Sequence, residues 1–134
     1  MNLTTLRVEG NANALELIKA KLCLALDAQW HKGDILRNGT AHEFSGFSTT
    51  IADTETPQEL IAFIGNFLAQ CKENNIQFQA LNLSAVLSVG FTVGNSVQFI
   101  ACVEFSPAEL LAFTECGISL SITAYPASEE AGTE

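Results

Sequence analysis

The chain reads as an α+β domain: a single, mainly antiparallel sheet of about five strands with three helices packed on one face, in the order β-α-β-α-β-β-α-β. Three observations predict it. Apolar residues alternate with a period of two in several runs of strand length. Other stretches carry apolar stripes at helical spacing, and two of these open on the matching patterns Thr56-Pro57-Gln58-Glu59 and Ser106-Pro107-Ala108-Glu109. Glycine, proline and asparagine stand between the runs, where turns are needed.

In chain order, Leu3 to Glu9 form a first strand with Leu6 and Val8 on one face, and Gly10 ends it. Asn13, three residues before Glu16, has the spacing of a capping box. Leu15, Ile18, Leu22, Cys23, Ala25 and Leu26 then make a helical stripe. Gln29 to Asn38 is a polar loop that holds the only tryptophan. Thr40 to Ala52 is the second strand, with Ser45, Phe47, Thr49 and Ile51 facing one way and Phe44, Gly46, Ser48 and Thr50 the other.

The second helix starts at Thr56, a cap for free amides, with Pro57 where no donor is needed and Glu59 placed to reach back. Leu60, Phe63, Ile64, Phe67, Leu68 and Cys71 form its apolar face, Lys72 sits at the negative end, and Asn74-Asn75 stops it. Ile76 to Ser84 fits neither period. Beyond it, Leu87, Val89, Phe91 and Val93 alternate, and after Gly94-Asn95 so do Val97, Phe99, Ala101, Val103 and Phe105, which predicts an antiparallel hairpin. The third helix follows from Pro107 to Gly117, whose left-handed freedom suits a helix end. Ile118, Leu120, Ile122 and Ala124 alternate in the last strand, up to Tyr125-Pro126. Residues 1–127 are expected to form one domain with Phe63 and Phe113 in its core, and 128–134 an acidic disordered tail.

Of 134 residues, 48% are hydrophobic and 16% charged, which suits a folded domain and not a disordered chain. No apolar run approaches the ~20 residues of a spanning helix, and no basic segment leads into an apolar one at the start. A cytoplasmic location is expected. Cys23, Cys71, Cys102 and Cys116 are far apart, with no Cys-x-x-Cys, and each lies among apolar residues as a small buried hydrophobe would.

Charge narrows the partners. The net charge is −9, and it is one-sided: residues 1–40 carry five bases and four acids, whereas from residue 41 onward Lys72 stands alone against eleven carboxylates. Such a field repels nucleic-acid phosphates and draws a basic partner in. A solubilising role for the same acidity is the plainer alternative.

The Gln29–Asn38 loop is where recognition and structure compete as readings. Trp30, His31, Lys32 and Asp34 are residue types that bind partners from loops. They equally suit an edge tryptophan above a tight turn. An acid/base set of His31 and Asp34 with Cys23 would take the thiol from a core stripe, and no Ser or Cys stands in a nucleophile-elbow context. His31, Asp34, His42 and Glu43 are ligand types at a spacing that matches no known metal site. Neither catalysis, nor a metal, nor a cofactor is expected.

Leu6-Arg7-Val8-Glu9-Gly10, Trp30-His31-Lys32-Gly33-Asp34 and Phe44-Ser45-Gly46-Phe47-Ser48 resemble bacterial proteins of domain of unknown function 4279. So do Val89-Gly90-Phe91-Thr92-Val93-Gly94 and Gly117 to Pro126. The resemblance implies a small bacterial cytoplasmic domain, akin to toxin-neutralising immunity proteins, and supplies no catalytic residues. The resulting expectation is a non-catalytic acidic interaction domain that binds a basic toxin domain. Its candidate contact residues are Trp30, His31, Lys32, Asp34, Glu43, Asp53 and Glu55. The alternative is a small-ligand or peptide pocket beside the Trp30–Asp34 loop.

Overall fold

A computed structural model describes residues 1–127; the expected tail at 128–134 lies outside the described residues. The elements run β1 (Asn2–Gly10), α1 (Ala12–Leu22), β2 (Ala28–Trp30), β3 (Ser45–Asp53), α2 (Pro57–Glu73), a 3-10 turn (Phe78–Leu81), β4 (Ser84–Val93), α3 (Pro107–Cys116) and β5 (Ile118–Pro126). The sheet has the order β2-β3-β1-β4-β5. Every neighbouring pair is antiparallel except β4 and β5, which run parallel. The α+β class, the five strands and the three helices are as the sequence predicts. The identity of one strand is not.

That strand is the expected second arm of the hairpin, Val97 to Phe105, which forms no strand. Two causes act together. Asn95 Oδ1 accepts from the backbone N–H of Val97 and of Gln98, at 3.0 and 2.6 Å, and curls the chain away from β4. The free edge of β4 is taken by β5, and parallel neighbours need a long crossover between them, which residues 94–117 supply. The fifth strand is instead β2, Ala28 and the first two residues of the polar loop, paired with β3.

The core lies between one face of the sheet and the helices. Leu6 and Val8 from β1, Phe47 from β3, and Leu87 and Val89 from β4 meet Ile18 of α1 and Leu60 and Ile64 of α2, all essentially inaccessible. In β3 the expected alternation holds through Thr49. The register with β1 then shifts between Thr4 and Thr5, so Ala52 and not Ile51 turns inward. The unassigned stretch supplies Phe78, fully buried, and Leu83.

Local chemistry sets all three helix starts, and at one of them the capping residue differs from the expected one. Ser106 and Glu109 form both arms of a capping box, at 3.1 and 2.8 Å. Thr56 Oγ1 accepts from the Glu59 amide and also donates to its carboxylate, so the second arm there joins side chains and not backbone. At α1 the cap is Asn11 and not Asn13: its Oδ1 accepts from the Asn13 amide. The same helix stops at Leu22, with Cys23 left-handed, short of the expected Leu26. Asn75 and Gly117 take the left-handed positions after α2 and α3.

The cysteines divide into two kinds. Cys71 and Cys116 are buried, and Cys23 and Cys102 are exposed, against the expectation of four buried thiols. Cys23 is turned out by the early end of α1, and Cys102 lies in the irregular crossover. Burial, and secondarily the neighbouring Cys116, pushes the Cys71 thiol up to about 12. Burial likewise raises Cys116, with the Glu115 charge adding to it. A thiolate-selective reagent near neutral pH is therefore expected to modify Cys23 and Cys102 quickly and the other pair only on unfolding. Adduct mass before and after denaturation checks this, and prompt modification of all four would contradict the packing.

Candidate functional site

Three surfaces bear on function, at the head of the sheet where β3 begins, at its foot where β3 ends, and between α2 and α3. At the head, β2 places Trp30 opposite Gly46, and the indole lies flat over that glycine: a Cβ there would come within 2.6 Å of the ring. Arg7 stands 4.7 Å from the ring centre, and the His42 ring stacks on the indole at 5.2 Å. Arg7 also pairs with Glu9 at 3.2 Å. Trp30 Nε1 is buried without a partner among the described residues.

The loop beyond Trp30 uses its polar residues on itself. Asp34 Oδ2 accepts the His31 amide at 2.7 Å, and Ser45 Oγ accepts the Lys32 amide at 3.0 Å. Gly33 N–H donates to the His42 carbonyl and His42 N–H to the Asp34 carbonyl, which folds the loop into a narrow ribbon closed by an Ile35–Ala41 bridge. The side chains of His31, Lys32, Asp34 and Glu43 project into solvent. His31 Nδ1 lies 3.9 Å from Asp34 Oδ2, on the open side of the turn. Beside Trp30 the cavity measures about 30 Å³, room for a water and not for an organic ligand. Among the described residues, no three His, Cys, Asp or Glu side chains are grouped to hold a metal ion.

Of the seven contact candidates, Trp30, His31, Lys32, Asp34 and Glu43 are brought together at the head. Asp53 and Glu55 are not. Asp53 ends β3 opposite Leu3, roughly 23 Å from Gly46 at ~3.3 Å per residue. The seven candidate contact residues are thus divided between the two ends of β3. Glu55 borders a different feature, a shallow groove of about 890 Å³ at the foot, together with Met1, Pro57, Val97, Phe99 and Ile100, and Asp53 does not line it.

That groove is built by an inversion of the usual pattern. Asn2, buried at the start of β1, donates to the carbonyls of Thr54 and Glu55 and accepts from Gln98 Nε2 at 2.8 Å. Gln98 also donates to the Thr92 carbonyl at 2.9 Å. With the polar Gln98 drawn inward, its neighbours turn outward, and Val97, Phe99 and Ile100 are 92, 74 and 78% exposed. Glu55 is the carboxylate that borders the groove, with Asp53 and Glu59 close to it in the chain at the end of β3 and the first turn of α2, whereas Glu109 lies against Gly65 in the middle of α2. All six Lys and Arg lie elsewhere, on β1, α1, the head loop and the last turn of α2. The alternation from Val97 to Phe105 was visible in the sequence and signalled a buried strand. Only the Asn2–Gln98 pairing, 96 residues apart, reveals a displayed apolar ridge.

The third surface is a cleft of about 500 Å³ beside the last turn of α2, lined by Lys72, Asn75, Gln77, Leu111, Glu115 and Cys116 among others. Its polar groups are exposed helix-end residues, and its one thiol is held protonated by burial. No family model matches the chain, and no curated protein or solved structure is significantly similar to it. The resemblance to domain of unknown function 4279 thus rests on the quoted residues alone. No helix of the described residues is long and apolar enough to cross a membrane.

Proposed function

We propose that this chain is a non-catalytic, acidic protein-interaction domain whose partner presents a basic surface with apolar side chains at its centre. One observation carries the reading: an ordered apolar ridge, Val97, Phe99 and Ile100, displayed at the carboxylate-bearing foot of the sheet. Exposed side chains of this size cost solubility unless something covers them, and burying each contributes about 1.5–3 kcal/mol. The surrounding carboxylates select a cationic rim on the partner and speed its approach. Combined with the resemblance noted above, the partner class is a toxin domain, neutralised in the bacterial cytoplasm by an immunity protein. The head cluster, with its ring already stacked and a cavity of only about 30 Å³ beside it, serves this reading as scaffold, which disfavours a ligand pocket at Trp30.

Coexpression with the product of the adjacent gene is the direct test. The expected result is a complex that survives purification at low ionic strength and weakens as salt rises. Phe99→Ser and Glu55→Lys should each weaken it at least about tenfold, as loss of a central anchor and reversal of a rim charge do, with unchanged melting. A basic neighbour that fails to bind, or a complex indifferent to both substitutions, would sink the reading.

A further inference from the structure

The sheet has two edges, and they are treated differently. At one, β2 is three residues long and gives way at once to the charged His31–Asp34 turn. Short strands and adjacent charge are the ordinary means of keeping an edge from pairing. At the other, β5 runs nine residues, Ile118 to Pro126, paired among the described residues with β4 alone, with no charged side chain, no bulge and no proline before its last position. Beyond Leu120 every residue of it is exposed, and Ile122 at 51% sits beside fully covered Val89 of β4. Leu110 of α3 is half-exposed as well, about a third of a turn or more from the Glu109–Ala112 flank that faces α2. The foot shows what this molecule does with acidic surface, and β5 has none of it.

We propose that β5 is a homodimer edge, pairing antiparallel with β5 of a second copy. The occupant follows from symmetry and charge. A two-fold axis through Ile122 sets Ile122 against its own copy, Leu120 against Ala124, and Ser121 against Thr123. Apolar side chains then meet apolar ones on the helix side of the extended sheet, and hydroxyls meet hydroxyls on the other. Two chains of net charge −9 repel, so a self-contact is stable only where the surface is uncharged, and β5 is the long uncharged strand of the sheet with an open edge. Paired nine-residue edges fall at the low end of interface size, under about 1,200 Å², so the dimer is weak and concentration-dependent. The proposal is independent of the toxin reading and opposite to it in salt response: screening strengthens the dimer and weakens a complex with a basic partner.

Sedimentation or light scattering of the whole chain from micromolar to millimolar concentration is the test. The expected mass rises from monomer towards dimer, more steeply in high salt. Ile122→Lys places like charges across the axis and should hold the chain monomeric over that range, with circular dichroism unchanged. Should that variant misfold, Ile122→Cys in a Cys23→Ser, Cys102→Ser background decides the matter, because a mild oxidant should link two copies through residue 122. A wild-type chain that stays monomeric at millimolar concentration and high salt overturns the proposal. So does a dimer that persists in Ile122→Lys, or an Ile122→Cys chain that yields no linked dimer.

Discussion

Phe113→Ala is expected to destabilise the fold by about 3–5 kcal/mol, while Phe63→Ala, chemically identical and predicted from sequence to match it, should cost under about 1 kcal/mol. Phe113 is buried on α3 and meets the ring of Phe105 edge-on at 5.6 Å, so truncation leaves a cavity and gives up that contact. Phe63 is 49% exposed. It lies about 70° around α2 from the centre of the buried Leu60–Ile64–Phe67–Cys71 stripe, at 100° per residue. The segment that would have covered it, the continuation of α1 through Leu26, is not helical: the helix ends at Leu22, and only a shallow groove remains between Phe63 and residues 22–25. Thermal or urea unfolding of the two variants checks the difference. Equal losses would mean that Phe63 is covered in solution, by α1 or by a second molecule.

The contrast shows what kind of information the sequence held. Helix starts were legible because their causes are local: Thr56-Pro57 and Ser106-Pro107 carry their capping partners three residues away. The face of each central strand was legible for a similar reason, since a period of two suffices to separate Leu6 and Val8 from Arg7. Partnership was not. Nothing within Val97–Phe105 states that β4's edge will be occupied by a strand that follows it by 25 residues or that Gln98 will be claimed by Asn2. The same limit governed the candidate site. Trp30, Asp34 and Glu43 lie together because all three fall at the end of β2 or on its connection to β3, whereas Asp53 and Glu55 lie apart from them because a straight strand carries nearby sequence far away in space. The apolar ridge of the foot was missed because an alternating run is the same signal whether its apolar side is buried or displayed. An asparagine directly after the first alternating run, able to curl the chain, was the one available warning.

Gly46→Ala is the second large effect, expected at about 1–3 kcal/mol for a single added methyl group. The methyl would stand 2.6 Å from the Trp30 ring and 2.7 Å from the Val8 carbonyl oxygen, both far inside contact distance. Val8 is in the central strand and cannot retreat without breaking ladder bonds to β3 or β4. The ring is the softer neighbour, because it belongs to a three-residue edge strand, yet lifting it gives up the Arg7 contact and the His42 stack. Trp30 emission should therefore shift to the red along with the loss in stability, and as the only tryptophan it reports without interference. A double-mutant cycle separates the two clashes. If the ring carries most of the strain, Gly46→Ala in a Trp30→Ala background costs much less than in the wild type. If the cost is undiminished, the Val8 carbonyl sets it, and the glycine is required by the β1–β3 pairing itself. The first outcome makes Gly46 and Trp30 one structural unit that fixes the start of the head loop.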